Sequence, residues 1–271
     1  MGTSPNGVSA RRGPVIAASG VSKVFPSRDG DVIALRDVDW EMQPGEFVAL
    51  IGPSGCGKST LLNLVAGLLR PTIGQIEFEG HRLRSINTRV GYMTQKDSVF
   101  PWRTVLSNVA LPLELRGVGR EEREEQARTF IRLVQLEGFE GAFPGKLSGG
   151  MRKRVGLAQS LVAGPETILL DEPFGALDAM LKLALQAELM SMIESPDSSV
   201  QNVLLVTHDL DEAVTLADRI VIMSPRPGRI RTEIAVDLPR PRNPVTIRDS
   251  REFQAKRSEI WAYLQDEIRV E

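Results

Sequence analysis

The sequence has 271 residues, 42% of them hydrophobic and 25% charged, with a formal net charge of −2 at pH 7. This length allows one large core, or a core with a smaller subdomain. The nearly balanced charge gives no electrostatic case for nucleic-acid binding, and a run of about 18 apolar residues, as a membrane-spanning helix needs, is absent from the sequence. The single cysteine, Cys56, excludes an internal disulfide framework and is typical of a reducing compartment.

The N-terminal stretch 1–14 is small, polar and glycine-rich. Arg11 and Arg12 are not followed by an apolar segment, so the stretch does not have the pattern of a signal peptide. We therefore expect residues 1–14 to be a disordered tail of a cytoplasmic protein.

Two strands are predicted at the start of the fold. Residues 15–24 predict the first, which we place at the edge of its sheet and which Phe25 closes. After a turn over 26–30, residues 32–42 predict the second, ended by a Pro-Gly turn. The chain therefore opens with a hairpin-like pair, and residues 74–79 and 89–93 predict two further short strands.

A glycine-rich stretch fits the phosphate-binding pattern G-x-x-x-x-G-K-[ST] at every fixed position. A short apolar run at 47–51, typical of a buried parallel strand, precedes it, and an apolar helical segment at 60–69 follows it. Strand, glycine turn and helix is the order that this motif requires. The motif consists of Gly52, Pro53, Ser54, Gly55, Cys56, Gly57, Lys58, Ser59 and Thr60.

This stretch predicts nucleotide binding, because successive backbone N–H groups and a helix N-terminus form a site for a dense anion. Its glycines permit close approach and unusual dihedrals. Lys58 is placed to reach the β- and γ-phosphates, and the Ser59 hydroxyl to bind Mg²⁺. The alternative, a glycine-rich turn without function, would match the pattern in about one chain in a hundred of this length. Cys56 has two interpretations. The nearby helix end could lower the pKa of its thiol, but we favour the second, in which a small residue fills a variable position of the motif.

The next region, 95–164, is predicted to be mostly helical. Residues 121–137 begin with acidic residues and place Ala127, Ile131 and Val134 on one face with Phe130. A second glycine pair follows Ser148, just before a helix predicted over 152–163. Ser148 is suited to cap that helix, and Gly149 and Gly150 expose backbone N–H groups, which predicts a second anion site.

Alternating strands and helices then predict an α/β fold with a mainly parallel sheet. The strands are predicted over 167–170, 203–206 and 220–223. A helix is predicted over 179–194, with an apolar stripe interpreted as ordinary core. The stripe consists of Met180, Leu181, Leu185, Leu189, Met192 and Ile193.

Polar residues follow these strands at the edge where α/β sheets bind ligands. Asp171 is placed to hold Mg²⁺ through its water shell, and Glu172 to polarise an attacking water as general base. The alternative is a pair of acids that only caps a strand. His208, after the next strand, is placed to contact the γ-phosphate or orient the water, although a lone histidine is more often structural. Gln95 is placed to ligate Mg²⁺ and to sense the γ-phosphate.

The C-terminal part is predicted to be a loop, a linker and a helix. Pro225 and Pro227 indicate the loop, and three prolines between 239 and 244 indicate the linker. The helix, 251–268, is amphipathic, and we expect it to dock on its own domain rather than on a partner. Its apolar side consists of Phe253, Ile260, Trp261, Leu264 and Ile268.

Taken in order, these motifs resemble the full set of an ABC-type ATP-binding cassette. Besides the phosphate loop, Gln95 and His208, the set comprises the stretches 147–151, 168–172 and 175–178. The resemblance covers roughly 15–231. Met151 stands where the family more often has Gln, and Gly175 where it more often has Ser; neither removes a phosphate ligand, so we expect activity.

The resemblance implies a P-loop NTPase core with an antiparallel β-subdomain and a helical subdomain at about 96–164. It implies an ATP-binding domain over 15–245, followed by the C-terminal segment 246–271. It also implies a head-to-tail homodimer in which the Ser148 loop of one copy completes the ATP site of the other. Phe25 matches the aromatic residue that stacks on adenine, and Asp178 matches the loop that crosses the dimer interface.

Within the family, the stretches 100–105, 178–189 and 224–230 resemble ATPases of importers for nitrate, sulfonates and taurine. The expected function is therefore an importer ATPase on the cytoplasmic face of the membrane, with ATP and Mg²⁺, bound to integral-membrane permease subunits and indirectly to a solute-binding protein. We expect the segment 98–104 to meet a cytoplasmic helix of the permease. The alternatives are an exporter ATPase, a soluble ABC ATPase and a non-catalytic nucleotide-binding regulator.

Overall fold

A computed structural model describes residues 13–28, 30–96 and 99–268 of this chain, with side chains described up to residue 265. Most of the expected N-terminal tail, residues 1–12, therefore lies outside the described residues, as does Ser98 of the expected permease contact. Backbone pairing begins at Val15, whose N–H donates to the carbonyl oxygen of Met42.

The smaller of two sheets is antiparallel and has the strand order β2-β1-β4-β5. It consists of β1 (Ile16–Phe25), β2 (Val32–Met42), β4 (Ile73–Phe78) and β5 (His81–Arg82). The hairpin of β1 and β2 is confirmed, but the placement of β1 at an edge is wrong. Because β4 pairs with the other side of β1, that strand lies inside the sheet.

The larger sheet has six strands in the order β10-β9-β3-β8-β7-β6, and every neighbouring pair except β9 with β10 is parallel. The mainly parallel α/β fold is thus confirmed. β10 was not predicted. The strands are β3 (Phe47–Ile51), β6 (Val90–Met93), β7 (Thr167–Asp171), β8 (Asn202–Val206), β9 (Arg219–Met223) and β10 (Ile230–Ala235).

Eight α-helices are found among the described residues. They are α1 (Lys58–Val65), α2 (Val105–Val109), α3 (Leu111–Leu115), α4 (Arg120–Leu133), α5 (Gly149–Leu161), α6 (Ala179–Glu194), α7 (Leu210–Leu216) and α8 (Arg251–Ile268). Helix α4 ends before the predicted Glu137 because Gln135 adopts a left-handed φ of 55°. In that turn, the Leu136 N–H donates to the Ile131 carbonyl oxygen, which closes the helix without a glycine.

The larger sheet separates two hydrophobic cores. In β3, Phe47, Ala49 and Ile51 face the core that holds α4, α5 and α6, whereas Val48 and Leu50 face α1 and the antiparallel sheet. All five residues of β3 are buried. A strand covered on both faces reads as a continuous apolar run, which is why the sequence revealed it.

Two expectations about packing need correction. Met180, assigned to the core stripe of α6, is 77% exposed, whereas Leu185 and Leu189 are buried. The proline-rich segment before α8 has little regular structure but is packed. Its Arg242 is buried and donates hydrogen bonds to the carbonyl oxygens of Ala217, Val236 and Leu238.

Helix α8 docks on its own domain, as expected. Phe253 and Ile260 are buried in the core, and Arg257 Nε donates to Asp211 Oδ1 of α7 over 2.6 Å. Trp261 is 44% exposed instead of lying in that core. Within the described ranges, we find no helix whose length and apolar character would let it cross a bilayer.

Candidate active site

The site lies where the parallel strands β3, β6, β7 and β8 end. Since neighbouring parallel strands present their carboxyl ends at one edge, the stretches that follow them are brought together. Together with residues of β1 and β2 and with Arg226 after β9, they enclose a cleft of about 390 Å³. Its lining residues are Phe25, Val32, Ala34, Ser54, Gly55, Gly57, Lys58, Ser59, Thr60, Gln95, Glu172, His208 and Arg226.

The phosphate loop depends on glycine at its two ends for packing. At Gly52, a Cβ would lie 2.7 Å from the Met223 carbonyl oxygen. At Gly57, where φ is +102°, it would lie 2.6 Å from Leu35 Cδ2. Side chains at these positions would force the loop away from β2 and β9, so the spacing of the glycines fixes the shape of the loop.

Lys58 is the first residue of α1, and its side chain turns back into the phosphate loop. Its Nζ donates to the carbonyl oxygens of Gly52 and Pro53 over 2.7 and 2.9 Å. The N-cap residue of α1, Gly57, supplies no side-chain acceptor to the first helical turn. Lys58, Ser59 and Thr60 of this first turn all line the cleft, and an uncapped helix N-terminus beside an ammonium group suits an anion.

Cys56 lies beneath the loop rather than on its surface. Its side chain is fully buried, and burial raises the pKa of the thiol despite the nearby Lys58. The alternative of a thiol pKa lowered by the helix end is therefore wrong, and the interpretation of Cys56 as a small filling residue is supported. Its backbone N–H donates to the Pro53 carbonyl oxygen over 3.4 Å, and Cys56 is not among the residues that line the cleft.

Asp171 and Ser59 form the part of the site that fits a cation. Asp171 is 2% exposed, and its Oδ1 has no hydrogen-bond partner. Burial raises the pKa of this carboxyl, and a hydrogen bond with Ser59 works in the opposite direction. A buried carboxylate oxygen without a partner is costly, and a hard cation with oxygen ligands would satisfy it. The residues present therefore fit Mg²⁺.

Glu172 has an unusual backbone conformation at the floor of the cleft. Its φ is 51°, in the left-handed region that non-glycine residues rarely adopt. Three hydrogen bonds hold it there. Its N–H donates to the Val206 carbonyl oxygen over 2.9 Å, and its own carbonyl oxygen accepts from Lys153 Nζ over 3.1 Å and from the Gly175 N–H over 3.2 Å. The carboxylate is thereby turned toward His208, whose Nδ1 lies 3.4 Å from Glu172 Oε1.

An ionic network supports the residues on either side of His208. Lys182 Nζ of α6 lies 2.6 Å from Asp209 Oδ2 and 2.5 Å from Glu212 Oε1. Although burial opposes its charge, the hydrogen bonds to these carboxylates raise the pKa of Lys182. Thr207 donates its hydroxyl hydrogen to Glu212, so both chain neighbours of His208 belong to the network.

Phe25 and Gln95 line the cleft where they were expected. The Phe25 ring closes β1 at one side of the cleft, with Lys23 Nζ 5.0 Å from its centroid. Gln95 is exposed and follows β6. Both side chains are therefore accessible to a ligand in the cleft.

Ser148, Gly149, Gly150 and Asp178 are not among the residues that line this cleft. Ser148 caps α5 by accepting from the Met151 N–H over 3.2 Å, and Asp178 caps α6 by accepting from the Leu181 N–H over 3.0 Å. A Cβ on Gly150 would lie 3.0 Å from Leu177 Cδ2, so the two loops are neighbours. They form a second exposed polar surface, separate from the cleft.

The structure accommodates both residues that depart from the expected family pattern, Gly175 and Met151. Gly175 leaves room for Lys153 to reach Glu172, since a Cβ there would lie 2.9 Å from Lys153 Nζ. Met151 packs, half-buried, against the core around α5. Both residues are compatible with the geometry of the site.

Sequence reasoning missed four residues that shape the site. Arg226 lines the cleft, Lys153 holds Glu172, and Lys182 with Glu212 supports the neighbours of His208. One signal was available. An acid three residues after a helix N-cap is typical of a capping arrangement, and Glu212 follows the N-cap Asp209 at that spacing. Nothing in the sequence pointed to the two lysines or to Arg226.

Comparison with known proteins agrees with the geometry. Residues 35–175 match the family described as "ABC transporter". An uncharacterized ABC transporter ATP-binding protein of Methanocaldococcus jannaschii is 43% identical over 92% of this chain and 90% of its own length. The aliphatic sulfonates import ATP-binding protein SsuB of Bacillus cereus is 39% identical over 90% of this chain and 94% of its own length.

A longer relative and a solved structure are also similar. The bicarbonate transport ATP-binding protein CmpC of Synechococcus elongatus is 42% identical over 94% of this chain, which spans only 39% of that protein. The dimeric cassette MJ0796, bound to ADP and Pi in a post-hydrolysis state, superposes with a TM-score of 0.75 at 30% identity. That match covers 82% of this chain and 99% of the cassette.

Proposed function

This chain belongs to the ABC transporter family, as an ATP-binding and ATP-hydrolysing transporter subunit, and from that premise we propose that it powers an importer. The solute is nitrate, a sulfonate, taurine or a similar small molecule. Support comes from the sulfonate and bicarbonate transport relatives. An exporter subunit or a soluble ABC ATPase is the alternative.

ATP occupies the cleft at the strand edge. Phe25 stacks on the adenine, and the backbone of Gly52 to Thr60 with the Lys58 ammonium binds the phosphates. Ser59, Asp171 and Gln95 would hold Mg²⁺, which when bound neutralises phosphate charge. Gln95 contributes from the end of β6, and this position suits a side chain that responds to the γ-phosphate.

Hydrolysis depends on the pair formed by Glu172 and His208. The Glu172 carboxylate polarises the attacking water as general base. His208, 3.4 Å away, contacts the γ-phosphate and keeps the water in line with it. Since phosphoryl transfer needs mainly positioning and charge stabilisation, the backbone bonds that fix Glu172 matter as much as its carboxylate.

The observation that carries the proposal is that the cleft and the Ser148 loop lie on different surfaces of one chain, and we interpret them as two halves of an ATP site. The cleft has the phosphate loop, Glu172 and His208, whereas Ser148, Gly149 and Gly150 lie elsewhere at the start of α5. A head-to-tail pair of chains brings these halves together, so that each Ser148 loop meets the ATP of its partner. Asp178, beside that loop, lies in the same interface.

An exposed aromatic pair is placed to receive the membrane subunit. Phe100 and Trp102 have ring centroids 5.3 Å apart, and Trp102 is 71% exposed. Phe100 also lines a groove of about 640 Å³ together with Tyr92 and Leu115. Exposed aromatic clusters beside a groove are typical of protein-binding surfaces, and this one follows Gln95 in the chain.

We place the chain on the cytoplasmic face of the membrane as a peripheral subunit of permease proteins. It would reach a solute-binding protein only indirectly, through the permease. Nucleic acid is not a proposed partner, since the net charge of −2 offers it no attraction.

The proposal is tested by co-purification from detergent-solubilised membranes. Tagged chain should retain a multi-span membrane protein and, with it, a solute-binding protein. Trp102→Ala should lower this retention by about tenfold, because an aromatic anchor at an interface contributes on the order of 1.4 kcal/mol or more. Tyr263→Ala, an exposed aromatic on α8, is the matched control.

The ATPase activity of the isolated Trp102→Ala chain should stay within about twofold of wild type, since Trp102 is not among the residues that line the cleft. Retention of a membrane subunit without any solute-binding protein, combined with outward transport by reconstituted vesicles, would favour the exporter alternative. Failure to retain any membrane protein would favour the soluble ATPase.

A further inference from the structure

Lys182 lies at the centre of an ion cluster that belongs to no motif of the phosphate site. Its ammonium contacts Asp209 Oδ2 over 2.6 Å and Glu212 Oε1 over 2.5 Å, and its side chain is 19% exposed. Glu212 is 3% exposed and accepts from the Thr207 hydroxyl through its other oxygen. One lysine therefore pairs with two carboxylates, of which Glu212 is buried and Asp209 is 34% exposed, and the buried pair tolerates little displacement.

This cluster sets the backbone on both sides of His208. Besides its bond to Glu212, the Thr207 hydroxyl oxygen accepts from the Asp209 N–H over 3.0 Å. Asp209 Oδ1 in turn accepts from the N–H groups of Asp211 and Glu212, which begins α7. The His208 ring is 67% exposed, so core packing does not fix it, and its position depends on the backbone of these neighbours.

The same lysine is part of the first turn of α6, next to the second half-site. Its backbone N–H donates to the Asp178 carbonyl oxygen over 2.9 Å. Asp178 caps α6 and lies in the surface that faces the partner copy in the proposed dimer. A single helical turn therefore connects the interface loop to the residues around His208.

We propose that Lys182 is a positioning residue for hydrolysis, which holds His208 at the γ-phosphate and couples that position to the interface loop at Asp178. The proposal rests on the proposed role of His208. Lys182 does not touch the nucleotide, and it acts through Thr207 and Asp209. A merely structural ion cluster would stabilise the fold without any specific link to His208.

The test uses the full chain with the double substitution Lys182→Met and Glu212→Gln. Removing Lys182 alone would leave Glu212 buried without a cation, which is strongly destabilising, whereas the double variant removes both charges together. Lys256→Met is the matched control, because Lys256 is also 19% exposed and forms an ion pair with Glu259, but on α8. Lys182→Arg tests rescue by a conserved charge.

Steady-state ATP hydrolysis gives the first readout. In the double variant, kcat should fall by about 10- to 100-fold, as expected for a misplaced catalytic group, while KM changes less than about twofold. In a chain that already carries His208→Ala, adding the double substitution should lower kcat by less than about twofold relative to His208→Ala alone. The group that Lys182 positions is already missing in that chain. The Lys182→Arg variant should keep most of the wild-type kcat, and the Lys256→Met variant should have the wild-type kcat.

A second readout does not depend on activity. The chain contains two histidines, His81 and His208, so each ring gives an assignable NMR signal. Without nucleotide, the His208 signal should shift or broaden in the double variant, and the His81 signal should stay unchanged and serve as the internal reference.

Several results would overturn the proposal. One is a wild-type kcat in the double variant. Another is an equal fractional loss of kcat whether the double substitution is made in the wild-type chain or in the His208→Ala chain, which would make the effects independent. A second double variant, Lys182→Gln with Glu212→Gln, serves as a check on folding. If neither double variant folds, the role of Lys182 is purely structural. If His208→Ala itself hydrolyses ATP normally, the fault lies instead in the proposed function of His208.

Discussion

At the scale of single residues, the site contains a strained backbone conformation together with the hydrogen bonds that hold it. Glu172 occupies a left-handed conformation, and hydrogen bonds to its backbone, one of them from Lys153, hold it there. Such conformations cost about 1–3 kcal/mol and persist where the surroundings impose them. At Asp171 the cost has a different origin, since its carboxylate is buried and one of the two oxygens, Oδ1, has no hydrogen-bond partner.

Replacing Glu172 by Gln should separate binding from hydrolysis. The amide preserves the size of the side chain but cannot accept a proton from water, so kcat should fall by about 10²- to 10⁴-fold. ATP affinity, measured with a fluorescent analogue, should remain near that of wild type. Glu188→Gln, an exposed position on α6, is the control. Undiminished turnover in Glu172→Gln would remove Glu172 from its assigned role.

At the scale of elements, the phosphate loop is held from outside by the segment that joins β9 to β10. Gly228 in that segment exchanges backbone hydrogen bonds with β2, through the Ala34 carbonyl oxygen and the Arg36 N–H. It also lies against the loop so closely that a Cβ would be 1.9 Å from the Cys56 carbonyl oxygen. The shape of the nucleotide site therefore depends on a contact between segments far apart in sequence.

Gly228→Ala should displace the phosphate loop. Because Gly228 does not have a positive φ, the effect is a steric one, without added dihedral strain. We expect ATP affinity to fall by about tenfold or more and stability by about 1–3 kcal/mol, as in other overpacked sites. Gly119→Ala, where a Cβ meets nothing within 4 Å, isolates the effect of losing a glycine. Equal affinities in the two variants would contradict the steric account.

At the scale of the whole molecule, the two exposed half-sites predict that assembly is driven by ATP. Stabilising a closed dimer requires bound triphosphate that is not hydrolysed. Glu172→Gln with ATP should therefore elute at twice the monomer mass in chromatography with light scattering, and Lys58→Ala, which should lose ATP binding, should remain monomeric.

Ser148→Asp tests which surface forms this dimer. Aspartate still caps α5, but its charge would repel the γ-phosphate of the partner's ATP, so ATP-driven dimers should be lost in the Glu172→Gln background. Thr104→Asp makes the same change at the N-cap of α2, away from the half-sites, and should not affect dimers. Dimers that persist in Ser148→Asp would exclude the head-to-tail arrangement.

The sequence by itself determined the features that are local or periodic. The phosphate-binding pattern, the continuous apolar runs of β3 and β8 and the bounds of α6 and α8 all follow from spacing within short windows. The position of the polar residues after the strands also followed, because parallel strands share one carboxyl edge.

Only the tertiary structure decided which distant segments meet. It placed β4 beside β1, exposed Met180, buried Arg242 and Cys56, and joined Lys182 to the residues around His208. Burial and ion pairing depend on what the rest of the chain places around a residue. Contacts between residues far apart in sequence produce no periodic pattern in the sequence from which they could be predicted.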